Sequence, residues 1–291
     1  MPNASTAAHD EPHRFFLYGD MGGGKSSQIL TLPRPTFAYI FDPNSLLTLR
    51  GHDIDYEQFL PQDINLDVVS TSKDPTKSAE SRAKKRGPVV MNQKATTYEE
   101  WERDFDKKRN SGFFDSYNSI AVDSVTSFLD VIMDYVLSIN GRPGQWPEQD
   151  DYGPQMVTFT NVMRTIASMG KTVLCTGHYE AWQDRKTMRT TYQLMMTGRL
   201  RTKIPLLFSD VWFCEGGIGD DGKSQFTVTT VKDKHIPAAR CSFRDMPAVV
   251  DVTLDFHSDL EQQGLGALIL NELDELKPKE KPATKASAKR R

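Results

Sequence analysis

Eight residues near the start of the chain, Gly19-Asp-Met-Gly-Gly-Gly-Lys25-Ser26, restrict its fold more than any other stretch. An apolar run, Arg14-Phe-Phe-Leu-Tyr18, precedes them, and Ser26 to Leu30 opens a helix that Pro33 closes. The pattern is G-x-x-x-x-G-K-[ST]. Its glycines let consecutive backbone N–H groups turn toward one anion, and the helix start adds the positive end of a dipole. The lysine can reach the outer phosphates, and the hydroxyl after it can ligate Mg²⁺. A chance match in a chain of this length has odds of about one in a hundred, and the strand before and helix after are the context this chemistry requires. Gly19, Asp20, Met21, Gly22, Gly23, Gly24, Lys25, Ser26 and Ser27 are therefore the expected phosphate-binding loop, with Lys25 as a catalytic cation and Ser26 as a metal ligand.

The pattern along the chain alternates strand and helix. Thr36 to Phe41, Leu66 to Val69, Ser119 to Asp123 and Lys171 to Thr176 read as short buried strands. Helices are expected over 97–109, over 125–139 with its apolar stripe at Phe128, Val131, Ile132, Tyr135 and Val136, and over 154–169, with a Gly/Pro-rich loop at 141–153. Beyond these, β-like alternation covers 180–196, 210–214, 224–231 and 249–256, and a last helix covers 260–276. The expected fold class is α/β, a mainly parallel central sheet flanked by helices, with antiparallel β additions on the C-terminal side. The expected divisions are a loose leader at 1–13, a core at 14–256 interrupted by a basic loop or insertion at 71–95, a C-terminal helix at 257–276 and a basic tail at 277–291.

The net charge of -3 conceals an uneven distribution. Residues 71–95 carry a local +5, while 185–203 and 277–291 carry +6 each, which leaves -20 for the remainder. Basic segments on an acidic body imply either an anionic partner met at defined places or simply solvated charge. No run of about 18 apolar residues exists, so no transmembrane helix is expected, and the polar start shows no secretory signal. Cys175, Cys214 and Cys241 show no metal or disulfide spacing, and a cytoplasmic setting is the simplest reading.

A loop that grips phosphate needs a second acid for the metal. Ser119-Ile-Ala-Val-Asp123 delivers one at the end of an apolar strand, with Ser124 following as a hydrogen-bonding assistant or a helix cap. With these two motifs the chain resembles the RecA-like P-loop ATPases over roughly residues 14 to 256. It is most similar to the short RecA-like ATPases of bacteriophages, some of which are single-strand annealing recombinases. Ile120-Ala-Val-Asp-Ser-Val125 is similar to the RecA Walker B strand. Lys171-Thr-Val-Leu-Cys-Thr-Gly-His178 occupies the place of the strand that ends in a sensor residue, and Thr230-Val-Lys-Asp-Lys234 resembles the segment whose lysines reach a neighbouring subunit's nucleotide.

The resemblance implies ATP and Mg²⁺ as ligands, Asp123 as metal ligand, His178 as γ-phosphate sensor, and a homo-oligomer, ring or filament, in which Lys232 and Lys234 act in trans. A lone histidine is otherwise a satisfied structural residue, and Lys232 and Lys234, two apart on one strand face, are otherwise solvated. Arg240 is a weaker candidate for the trans role. Asp42, at the end of the second strand, is the counterpart of a water-orienting glutamate, or merely the turn former its Asp-Pro pair suggests; Glu57 is another carboxylate of that region.

In such proteins the loops after the Walker B helix and the sensor strand line DNA. Here the first holds Arg142, Trp146 and Tyr152, and the second, 179–203, holds Trp182, Arg185, Lys186, Arg189, Arg199, Arg201 and Lys203 with Tyr179 and Tyr192 interleaved. Basic residues neutralise backbone phosphate and aromatic faces stack on unpaired bases, which points to single-stranded DNA without sequence reading. A hairpin with a polar face would look the same. The expected activity is DNA-stimulated ATP hydrolysis in phage-type recombination, annealing or replication, with a single-strand-binding protein as a further partner and no membrane association. The alternatives are a non-catalytic nucleotide-gated adaptor and a P-loop small-molecule kinase.

Overall fold

The computed structural model describes residues 11–61 and 94–276. The strand expected at 66–69, nearly all of the 71–95 insertion, most of the leader and the 277–291 tail lie outside the described residues.

The apolar runs form the centre. Strands β1 (Arg14–Gly19), β2 (Thr36–Ile40), β4 (Ser119–Asp123) and the first half of β5 (Thr172–Gln183) are buried almost throughout. Such strands must be covered on both faces, which is the situation of parallel strands in α/β proteins. With β3 (Asp55–Gln58), β6 (Thr190–Leu194), β7 (Asp210–Ile218), β8 (Ser224–Thr229) and β9 (Val249–Asp251) they make one sheet in the order β3-β2-β4-β5-β1-β7-β8-β9, with β6 attached to the outer half of β5. Every pair from β3 to β7 is parallel. The β7–β8, β8–β9 and β5–β6 pairs are antiparallel. The mainly parallel sheet with late antiparallel strands is thus the expected fold class.

Side-chain alternation along β1 divides the core. Phe16 and Tyr18 face helices α2 (Thr97–Asn110), α3 (Val125–Ile139) and α4 (Tyr152–Ala167), with Trp101, Phe128 and Phe159 among the buried residues there. Phe15 and Leu17 face the other layer, made by a 3₁₀ segment at Ser26–Thr31, the short α1 (Ser45–Leu49) and α6 (Gly264–Leu276). A further short helix, α5, spans Leu200–Lys203.

Several details differ from the sequence reading. The helix after the glycine loop is six residues of 3₁₀ geometry, so its dipole adds less to anion binding than a full α-helix would. β3 is an exposed polar strand at the sheet edge, and α1 is apolar but only five residues long, too short to show a helical period. β5 runs seven residues past the expected Thr176, and β8 stops at Thr229, before Lys232.

The last helix is integral to the core. Gln28, fully buried, donates from Nε2 to the Val252 carbonyl (2.8 Å) and accepts at Oε1 from the Leu265 N–H (3.2 Å). Thr31 accepts at Oγ1 from the Gly266 N–H (3.3 Å). These side chains thus satisfy donors in the first turn of α6, which has no earlier carbonyls for them. Farther along, His13, just before β1, meets Glu272 on α6 at 2.8 Å. Removing the amide while keeping the bulk strands two buried backbone groups, the Val252 carbonyl and the Leu265 N–H, so Gln28→Leu is expected to lower stability by about 1–3 kcal/mol, read as a fall in the urea midpoint.

Candidate active site

At the carboxyl ends of β1, β4 and β5 lies a cavity of about 440 Å³. Open parallel sheets place ligands at this edge because loops diverge there. Met21 to Ser27, Asp42, Asp123, Ser124, Thr176 and His178 line it, as do Phe226, Leu254 and Phe256.

The glycine loop is shaped by close backbone approach. A Cβ on Gly19 would lie 2.0 Å from the Cys214 carbonyl oxygen of β7, and Gly24, at φ +76°, lies against the Phe226 ring, where a Cβ would be 2.9 Å away. Only glycine fits either position. Gly19 and Asp20 contribute carbonyls: the Lys25 ammonium donates to Gly19 O (3.1 Å) and Asp20 O (2.5 Å). Burial pulls the Lys25 pKa below its ordinary value, with Cys214 and Asp123 acting against it. Ser27 Oγ donates to Gly24 O at 2.6 Å, which closes the turn. Met21 to Ser27 line the cavity, whereas Gly19 and Asp20 position Lys25 from behind.

Asp123 ends β4 and is 2% exposed. Its Oδ1 accepts from the Thr176 hydroxyl, and its Oδ2 is buried with no hydrogen-bond partner. A buried carboxylate oxygen without a donor is costly. Together with the Ser26 hydroxyl on the same cavity wall, it is the oxygen donor set that a hard divalent cation takes, so the residues present fit Mg²⁺. Ser124 caps α3, its Oγ accepting from the Ser127 N–H.

His178 and Asp42 meet in the cavity, Nε2 to Oδ2, at 3.9 Å. The backbone of His178 is fixed by donation to Thr126 Oγ1 (3.0 Å) and by acceptance from Met195 N–H (2.9 Å). Asp42 Oδ1 also accepts from Asn44 N–H at 2.8 Å, so Asp42 both forms the turn and faces the histidine. Glu57 is directed elsewhere, pairing with Lys108 at 2.9 Å. Thr176, Phe226, Leu254 and Phe256 were not singled out from sequence. Thr176 was accessible to strand alternation, being two residues before His178, whereas the other three belong to no motif.

Lys232 and Lys234 are exposed and line no part of this cavity. They do not share a strand face, because the chain has already turned: Asp233 Oδ1 accepts from both His235 N–H and Ile236 N–H at 2.6 Å. Arg240 pairs its backbone with Val211.

The basic segment 185–203 is divided by structure. Its first part is the β5–β6 hairpin, with Trp182 50% exposed and Arg185 and Lys186 at the tip. Arg185, Lys186, Arg199 and Lys203 make no side-chain hydrogen bond or ion pair among the described residues. Arg201 instead pairs with Glu180 at 2.6 Å and donates to Met196 O, and Arg189 donates to Lys234 O. Tyr179 and Tyr192 face inward, the latter stacked on Phe213 at 5.4 Å, so neither is an open platform. In the other loop Arg142 is held by Asp151 and Glu148, while Trp146 is 88% exposed and Tyr152 lines a second cavity.

Comparison with known proteins gives three findings. A family model described as an AAA domain matches residues 11–238. No curated protein matches. Among solved structures, a KaiC-like protein from the hyperthermophilic archaeon Pyrococcus horikoshii is similar at 10% identity and a TM-score of 0.35, over 75% of this chain and 77% of that one. The AAA model ends before β9 and α6, which nonetheless complete the core on the Gln28 side.

The His178 environment has a measurable consequence. Burial, then the nearby Lys25 charge, hold its pKa below the ordinary value of 6.5, with Asp42 and Asp123 opposing. Because the folded-state pKa is the lower one, the unfolded chain binds more protons between the two values, and stability falls as pH drops through that window. The urea midpoint of the wild type should therefore fall more between about pH 7 and about pH 5.5 than that of His178→Gln; equal falls would show that folding does not lower the His178 pKa.

Proposed function

The chain belongs to the AAA domain family of P-loop ATPases, and from that premise we propose that it binds and hydrolyses ATP with Mg²⁺ and grips single-stranded DNA according to its nucleotide state. The single observation that carries the nucleotide reading is one cavity lined by Lys25, Ser26 and Asp123 together with Phe226, Leu254 and Phe256. A triphosphate matches the first set, and an aromatic base matches the second.

The residues divide the work. The glycine loop and Lys25 bind and neutralise phosphate, which is where phosphoryl transfer draws most of its catalysis. Asp123 and Ser26 would hold Mg²⁺, which supplies further charge neutralisation on the phosphates when bound. Asp42 accepts a proton or orients water, and His178 keeps that carboxylate in place while contacting the phosphate end.

For DNA, the supporting features are Arg185 and Lys186 at the hairpin tip, Arg199 and Lys203 beyond it, and the exposed Trp182 and Trp146. The hairpin continues the strand that carries His178, so a change at the phosphate end has a covalent route to it. The placing in phage-type recombination, annealing or replication, alongside a single-strand-binding protein, rests on the motif resemblance. Assembly into a homo-oligomer is favoured by Lys232 and Lys234, free of their own chain's cavity and thus available to another's. A small-molecule kinase would need basic residues over the phosphates, yet none of those in 185–203 lines the cavity. The non-catalytic adaptor retains one point in its favour, since Asp42 has a short side chain and one oxygen already committed to a turn.

Lys25→Ala is expected to abolish ATP turnover in a phosphate-release assay; unchanged turnover would remove the loop from the mechanism. Nucleotide binding by the wild type without turnover, with or without single-stranded DNA, would favour the adaptor. Replacing Arg185 and Lys186 together by Ala should weaken single-stranded DNA binding for every sequence tried and lower the slope of log affinity against log salt by about one to two. An unaltered slope would place the DNA elsewhere.

A further inference from the structure

We propose that Thr176 is the positioning residue that decides which oxygen of Asp123 meets the metal. The proposal rests on the reading of the cavity as an Mg²⁺–nucleotide site.

Parallel pairing sets Val122 of β4 beside Cys175 of β5, so one step farther along each strand Thr176 stands beside Asp123. On its other side Thr176 is paired with Leu17 of β1, so its backbone is held between the strand that delivers the acid and the strand that delivers the phosphate loop. The side chain is fully buried. A β-branched residue has little freedom at χ1, which suits a hydroxyl that must keep one direction. That hydroxyl donates to Asp123 Oδ1. The second carboxylate oxygen, Oδ2, has no partner, and the residue lines the cavity beside Ser26 and Lys25.

A carboxylate free at both oxygens can rotate or swing toward the Lys25 ammonium, which would close the position a cation needs. A neutral donor on one oxygen prevents rotation without neutralising the charge, so the other oxygen stays anionic and aimed. Metal sites commonly orient their ligands in this way, and loss of such a partner typically costs 10–100-fold in metal affinity. Thr176 also lies two residues before His178, on the same face of the same strand. The acid that would hold the metal and the imidazole at the phosphate end are thereby indexed to one rigid element.

The test uses the full chain and a fluorescent N-methylanthraniloyl ATP analogue, titrated with Mg²⁺ and, separately, in EDTA. In Thr176→Val, which keeps the shape and removes the donor, the Mg²⁺ concentration giving half-maximal signal should rise about 10–100-fold. Binding in EDTA, governed by Lys25 and the glycine loop, should be unchanged. Thr176→Ser should restore the Mg²⁺ requirement to within a few-fold of wild type, which a purely structural role would not produce. An unchanged Mg²⁺ requirement in Thr176→Val, or a serine variant no better than the valine, overturns the proposal. Circular dichroism checks folding, and if the valine variant fails to fold, Thr176→Ala set against Thr176→Ser makes the same comparison. A wild type that binds the analogue with no Mg²⁺ dependence would instead sink the underlying site reading, and the role of Thr176 with it.

Discussion

Two opposite charges are buried at the same edge of the sheet, Lys25 and Asp123, and neither is satisfied by the other alone. Lys25 folds onto the carbonyls of Gly19 and Asp20, and Asp123 keeps one oxygen on Thr176. Isolated buried ions are strongly unfavourable, so a fold that retains both must hold each with fixed dipoles. The parallel sheet does this. Its central strands β4, β5 and β1 are paired side by side, so Asp123 and Thr176 stand level with Leu17, and the loop leaves β1 two residues farther on, level with His178. The helical layers on both faces cover the apolar side chains of those strands and leave the carboxyl edge open to the cavity.

What the sequence made legible is what burial makes legible. β1, β2 and β4 are continuous apolar runs because they are covered on two faces, and the glycine loop is a local motif whose chemistry is written in consecutive residues. The amphipathic stripe of α3 was equally readable. Elements at the rim were not. β3 is polar and exposed, α1 is a single short turn of helix, and the 3₁₀ segment after the loop makes its side-chain contacts, through Gln28 and Thr31, with residues far along the chain.

The candidate site shows the same division. Residues within a motif, Lys25, Ser26 and Asp123, line the cavity, and Asp42 and His178 at strand ends meet there. Residues brought in from a distance, Phe226, Leu254 and Phe256, carried no local signal. Charge counting was the weakest guide. The local +6 of 185–203 treats Arg201 and Arg189 as free, whereas one is held by Glu180 and the other by the Lys234 carbonyl. Aromatic interleaving misled in a similar way, because Tyr179 and Tyr192 alternate toward the core and Trp182 alternates away from it.

The contacts of Gln28, Thr31 and His13 with α6 join the first strand-loop-turn unit to residues about 240 positions later. Contacts of such separation form late, since closing a long loop costs entropy before any reward is gained. During synthesis, the anion-gripping loop therefore waits for its underside until residues near 265–272 have been made. The loop precedes the helix that supports it, so a ribosome-bound fragment ending at the antiparallel strands would carry the complete loop sequence on an unfinished support.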